Sequence, residues 1–204
     1  MKSLAVNPRG PKPKPGVREH LIQIGLEIVH AEGYSASGIQ SIVEAAEIPK
    51  GSFYNHFASK EAFGAELTDA YSDCGLRKLR DFLCDVNVSP IKRLEAYFDD
   101  RIEAVRGKKY MRGCLLGNLS AEVADHSTLI RGRLVEHLGE WSRSFEDCIA
   151  EAQKQGAIQN RLPARVLGRF VLNSWEGALL RMRVEQSDTP LREFKKVIFG
   201  SLLV

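Results

Sequence analysis

The chain contains no apolar run approaching the roughly 18 residues needed to cross a bilayer, and no hydrophobic signal core follows Lys2. A membrane span and secretion are therefore not expected, and a cytoplasmic protein is. Cysteine is scarce: Cys74, Cys84, Cys114 and Cys148 are the four present, without a C-x-x-C pair or a neighbouring His at metal-ligand spacing. No metal site or other cofactor is called for, and reduced thiols are expected. Cys74 and Cys84, if on one helix, would lie about 15 Å apart along it, beyond the roughly 7 Å that a disulfide tolerates. Strict alternation of apolar and polar residues is also lacking, which excludes a sheet and leaves an all-α fold. There is no internal repeat.

The charge that is present is unevenly placed. Lysine and arginine number 29 against 26 acids, a net of +3, yet Lys2, Arg9, Lys12, Lys14 and Arg18 meet no acid through residue 18, so those residues carry +5 and the remainder −2. Residues 1–16, basic and Pro-rich, have too little apolar surface to fold alone and are expected to form a disordered arm able to neutralise phosphates.

Helical periodicity fills the rest. Val17, Leu21, Ile24 and Ile28 form one stripe ending near Gly33, and Ser37 is expected to cap a second helix carrying Ile39, Ile42, Val43 and Ala46. Glu47-Ile48-Pro49 breaks it, and residues 50–56 make a short third helix with Phe53 and Phe57 inward. Ser59 opens a long fourth helix to about Cys84, Pro90 a fifth reaching Val105, and Cys114 a sixth. Ser127 caps a seventh, whose ridge runs through Ile130, Leu134, Leu138, Trp141, Phe145 and Ile149. Residues 163–185 and 190–203 supply the last of about nine helices. Their Leu167, Val171, Leu179, Phe194 and Ile198 make apolar stripes expected to be covered by a partner copy.

Helix, turn, short helix is the geometry of a major-groove reader. Between residues 34 and 61, Lys50, Ser52, Tyr54, Asn55, His56 and Lys60 supply donors for phosphates and base edges, and Gly51 allows close backbone approach. Such a concentration of donors on one short helix points to double-stranded DNA as the partner. The stretch GYSASGIQSIVEAAEIPKGSFYNHFASKEAF, Gly33 to Phe63, resembles the TetR-family DNA-binding signature. The resemblance implies a three-helix DNA-binding domain over residues 17–63 and a helical ligand-binding and dimerisation domain over 64–204. It further implies that Ser37 touches phosphate, that Lys50 to Asn55 form the recognition helix, and that Tyr54, His56 and Lys60 hold the DNA backbone. The last two helices would form a four-helix bundle with those of a second copy.

Two further stretches, RGCLLGNLSAEV from Arg112 and WEGALLRMRVE from Trp175, resemble the NemR-like repressors that sense N-ethylmaleimide and quinones and their AcuR-like, acrylate-responsive relatives. In the electrophile sensors the Cys of G-C-L is reactive and a Lys late in the penultimate helix assists. Cys114 matches the first, while Arg183 replaces the second with a permanent, planar charge. Independently, a thiol at a helix start after Arg112 and Gly113 is expected to feel unpaired N–H groups and a cation, which favour thiolate. Cys74, Cys84 and Cys148 are expected to pack as small hydrophobes. Trp141 and Trp175 fit either a ligand cavity or the core.

A ligand-responsive repressor is the reading these features favour, with Cys114, Trp175 and Arg183 as effector-site residues. The effector would be a small electrophile or an unsaturated carboxylate. An architectural DNA-binding dimer without an effector is the alternative. A thiol enzyme pairing Cys114 with His126 or His137 would leave the helix-turn-helix unexplained, so no catalytic residues are assigned.

Overall fold

A computed structural model describes residues 16–204, and the basic arm, Gly16 apart, lies outside the described residues. The described residues form nine α-helices: α1 (Val17–Glu32), α2 (Ile39–Ala45), α3 (Lys50–Tyr54), α4 (Lys60–Leu83), α5 (Pro90–Gly107), α6 (Leu115–Glu122), α7 (Thr128–Lys154), α8 (Ala164–Glu185) and α9 (Thr189–Val197). A π-helical turn, Ile198–Leu202, closes the chain where a continuous helix through residue 203 was expected.

Local chemistry sets several boundaries as the sequence foretells. Ser59 and Ser127 cap α4 and α7 by accepting from the amides of Ala62 and Ile130, each at 3.0 Å. Pro90 occupies the first turn of α5, where its missing N–H leaves nothing unpaired. The second helix departs from expectation. Its cap is Gly38, and the Ser37 hydroxyl is fully buried, donating to the Gly33 carbonyl at 2.5 Å. Satisfying that carbonyl at the end of α1 outweighs capping α2, so the Ser37 side chain is not available to a phosphate.

α1, α2 and α3 close over Leu21, Val29, Ile42, Val43 and Phe53, and the rings of Phe53, Phe57 and Phe63 pack edge-to-face or tilted with centroids 4.7–5.2 Å apart. Phe63 belongs to α4, so the headpiece core is completed by the helix that runs out of it. A Cβ on Gly25 would lie 2.4 Å from the Phe63 ring, which is why α1 and α4 can approach so closely. Across the rest of the chain α7 is central, packing on both α4 and α8. α8 reaches α7 at Gly168, where a Cβ would meet the Glu146 amide nitrogen at 2.8 Å and the Ser142 carbonyl at 3.1 Å. These obstacles are backbone and cannot swing aside. Gly168→Ala is therefore expected to destabilise the protein by about 1–3 kcal/mol through overpacking, read as a lower urea midpoint.

The apolar residues of α8 and α9 divide in a way the sequence did not foretell. Leu167, Val171, Leu179, Phe194 and Ile198, expected to need a partner, are 0–7% exposed and buried within the chain against α7 and α5. A different face is bare: Val166, Phe170, Leu180 and Val184 on α8 are 50–85% exposed, and Val197 on α9 is 57% exposed. Residues 166, 170, 177, 180 and 184 fall along one stripe of a 3.6-residue helix, with Gly177 at its middle.

Among the described residues no helix is long and apolar enough to cross a membrane, and no cluster of His, Cys, Asp or Glu is arranged to hold a metal ion.

Candidate functional site

The headpiece presents α3 outward on a turn that the sequence tightens at Glu47, whose φ of 55° is left-handed. The Ile48 amide donates to Val43 O at 3.0 Å, folding the chain back so that α3 crosses α2. Lys50, Gly51, Tyr54 and Asn55 are exposed on the resulting surface, with Ser52 half-buried beside them, while Phe53 and Phe57 point inward as expected. Asn55 stands exposed at the C-cap of α3.

His56 and Lys60 are less free. His56 Nε2 is buried without a hydrogen-bond partner. Lys60 lies with its ammonium 4.5 Å from the Tyr34 ring centroid and donates to Ser35 O at 3.4 Å. Arg18, the last of the five unopposed N-terminal cations, pairs across the helices with Glu66 at 2.5 Å and lies over the Phe57 ring.

The second feature is a half-open cavity of about 640 Å³ lined by α1, α4, α5, α7, α8 and the segment entering α6. It falls in the size range of small-molecule sites. Trp141 and Trp175 both form part of its wall, so these residues serve core and cavity together. Gly75 makes room for the first, since a Cβ there would lie 2.1 Å from the Trp141 ring. Cys114 lines the cavity, but not as an activated nucleophile. Burial pushes its pKa well above the ordinary thiol value, and the Glu176 carboxyl beside it, to the extent that it ionises, acts in the same direction. The helix amides of Gly117 and Leu116 act in the expected direction without prevailing. The positive end of an eight-residue helix cannot offset complete desolvation beside a carboxyl group.

Arg183 lies just beyond the main cavity, in a small hollow that it shares with Cys114 and Glu176. It is exposed, donates to Asn118 Oδ1 at 2.8 Å, and is not part of the main cavity wall. Cys74 and Cys84, expected to be packed, are exposed, and Cys74 lies at the cavity rim; Cys148 is buried as foreseen. His137 is committed to Asp69 at 2.7 Å and Glu140 at 3.2 Å, which leaves neither ring nitrogen for a thiol.

Several residues passed over in the sequence join these two features. His30 on α1 reaches Gly113 O at 3.1 Å, touching the chain immediately before Cys114. Burial lowers its pKa, more than the Gly113 and Arg112 carbonyls raise it, so the ring is neutral near pH 7. At the far end of α6, Glu122 accepts from the amides of Tyr34 at 2.9 Å and Ser35 at 2.6 Å, the start of the turn between α1 and α2. Ser127 donates to Glu61 at 2.5 Å alongside. α6 thus touches the cavity with one end and grips the headpiece with the other. No sequence signal marks Glu122, because its partners are backbone amides 88 and 87 residues away.

Burial alone would raise the Glu122 pKa, but the Ser35 and Tyr34 amides and the charge of Lys60 outweigh it and hold the carboxyl below its ordinary range. A depressed carboxyl contributes stability above its unfolded pKa and loses it as pH falls through the lower folded one. Glu122→Gln is accordingly expected to cost about 1–2 kcal/mol at pH 7, with the difference from the native protein shrinking as pH falls below 4. Urea unfolding of both proteins across that range measures it.

The comparisons agree with this architecture. Residues 21–67 match the family of bacterial regulatory proteins, tetR family, and residues 90–198 match the tetracyclin repressor-like C-terminal domain. The HTH-type transcriptional repressor DhaR of Mycobacterium sp. (strain GP1) is 41% identical over 92% of both chains. The transcriptional regulator AcuR of Cereibacter sphaeroides is 34% identical over 95% of this chain and 88% of its own. The reduced form of Escherichia coli NemR superposes with a TM-score of 0.82 at 24% identity, covering 90% of this chain and 95% of that one. A helix-turn-helix headpiece joined to a helical domain that holds a cavity, matched along both parts to one family, places this chain in the TetR family of transcriptional repressors.

Proposed function

We propose that the protein is a cytoplasmic, homodimeric repressor that leaves its operator when a small molecule occupies the cavity behind α6. In this reading residues 17–63 bind DNA and residues 64–204 bind the effector and the partner copy. The observation that carries it is the double attachment of α6, through Cys114 and Gly113 to the cavity and through Glu122 to the headpiece turn. A rigid helix with both ends engaged converts a small displacement at the cavity into a reorientation of α3.

On the DNA, Asn55 and Lys50 read base edges, Tyr54, Ser52 and the Gly51 backbone hold phosphates, and His56 and Lys60 orient the loop that follows. Ser37 acts only through the fold. The bare stripe on α8 packs against its copy, setting the two α3 helices about 34–36 Å apart for successive major grooves. The effector binds reversibly: a buried, protonated Cys114 serves as cavity wall, and Trp175 and Trp141 supply flat apolar surface. Arg183 steadies the α6 entry through Asn118 and does not clamp a ligand carboxylate.

Selection of duplexes from a random pool tests the DNA side. The expected result is enrichment of a two-fold-symmetric site with half-sites one helical turn apart, whereas equal retention of all sequences would remove the repressor reading.

A further inference from the structure

The cavity contains one polar group that neither the fold nor the sequence pattern explains. Glu176, on α8, lines the cavity beside Cys114, and its Oε1 is buried without a hydrogen-bond partner among the described residues. Space has been made for this carboxyl: a Cβ on Gly117 would lie 2.4 Å from Oε2. A buried polar atom left unpaired is costly, and its retention in a ligand-sized cavity points to a partner that the protein chain does not supply.

The surroundings narrow that partner. The titratable groups that share the cavity wall with it are His30 on α1, Tyr71, Cys74, Arg77, Lys78, Arg80 and Asp81 on α4, Tyr97 and Arg101 on α5, and Lys108, Arg112 and Cys114 between there and α6. Arg77, Lys78, Arg80, Arg101, Lys108 and Arg112 face one acid besides Glu176, Asp81, and this positive excess opposes entry of a cation. The neighbouring thiol and phenols keep their protons, since burial raises the pKa of Cys114, Tyr71 and Tyr97 alike. Burial raises Glu176 itself to about 7, against a small opposing effect of the Cys114 thiol. Near pH 7 about half of these carboxyls are uncharged and have a proton to donate, and below it most do.

We propose that Glu176 is the specificity group of the effector site, donating a hydrogen bond from its protonated carboxyl to an accepting oxygen, typically a carbonyl, on an effector that carries no positive charge. The assignment rests on the cavity being the effector site, and it adds which chemistry the cavity selects. A ketone, aldehyde, quinone or undissociated acid fits; an amine does not.

Three probes of one shape separate these cases: cyclohexanone, cyclohexylamine and methylenecyclohexane, each titrated calorimetrically into the full-length protein between pH 6 and 8.5. Cyclohexanone is expected to bind best, with affinity falling at least about tenfold over that range as the carboxyl loses its proton. Glu176→Gln, which keeps a donor, should bind cyclohexanone with a flat pH profile. Glu176→Leu should lose about tenfold for the ketone and nothing for the hydrocarbon, while a retained thermal unfolding transition shows that it folds. Tighter binding of the amine, rising with pH, overturns the assignment. So does equal binding of all three with Glu176→Leu unchanged, although the cavity then remains a ligand site. Absence of binding by every probe overturns both the assignment and the cavity reading on which it rests.

Discussion

Phe170→Glu combined with Leu180→Glu is expected to give a folded monomer with operator affinity reduced at least about a hundredfold. Both side chains are more than half exposed on α8, so the change disturbs no packing inside the chain. Across a two-fold interface each glutamate appears twice, and the four charges must be desolvated without partners. Loss of a central aromatic anchor alone costs about 2 kcal/mol or more, near thirtyfold, and buried like charges add to that. Sedimentation at micromolar concentration measures the first effect, and fluorescence anisotropy with a selected duplex the second. Leu179→Ala, in contrast, should lower stability by about 2–5 kcal/mol with the dimer intact, because Leu179 is a core residue with 6% exposure. A double variant that remains dimeric would locate the interface elsewhere.

Asn55→Ala is expected to carry the second large effect. A bidentate side-chain contact to a base is worth about 1–3 kcal/mol of discrimination, and a symmetric operator presents it twice, so the loss should be roughly 2–6 kcal/mol. The loss should be confined to the selected sequence, leaving binding to random duplexes within about twofold. Tyr54→Phe removes only a hydroxyl donor aimed at phosphate and should weaken both classes of DNA alike. Competition binding at fixed salt distinguishes the two patterns, and salt must be fixed because the phosphate contribution varies steeply with it. Uniform weakening by Asn55→Ala would assign base reading to other α3 residues.

The helix order was legible because it is written in local signals: Ser59, Pro90 and Ser127 mark starts, and spacing marks the faces. What escaped the sequence depends on which of two apolar faces a helix turns inward. α8 has Leu167, Val171 and Leu179 on one side and Val166, Phe170 and Leu180 on the other. Periodicity finds both sides of such a helix and cannot say which one meets α7; the close approach at Gly168 decides it. Ser37 misled for a related reason, since a hydroxyl before a helix can cap forward or satisfy a carbonyl behind, and the buried end of α1 has the stronger demand. The proposed recognition surface from Lys50 to Asn55 stands out in the sequence because its donors crowd one short helix, and Lys50, Gly51, Tyr54 and Asn55 are exposed on it.

The cavity proposed to hold the effector was half visible in the sequence. Cys114 and Trp175 stand in a shared cavity, yet the thiol's position at a helix start suggested activation where burial imposes the reverse. Desolvation is a property of everything packed around a group, and no local motif reports it. Glu176 went unremarked beside Trp175, since a glutamate in a helix is ordinary until its surroundings are known to exclude water. Arg183 shares a side of α8 with Glu176 and Leu179 but lies two turns beyond Glu176, past the end of the main cavity, beside Gly113 and Asn118.

The central claim is that cavity occupancy and operator binding oppose one another through α6. Linkage requires such coupling to be reciprocal, so it is measurable from the ligand side without knowing the natural effector. Affinity of cyclohexanone for the full-length protein, titrated alone and again with saturating selected operator, is the direct measurement. The account predicts weaker binding on DNA by about 5–150-fold, the span of a typical 1–3 kcal/mol coupling, and loss of most of that difference in Glu122→Gln. Identical affinity with and without operator would contradict it.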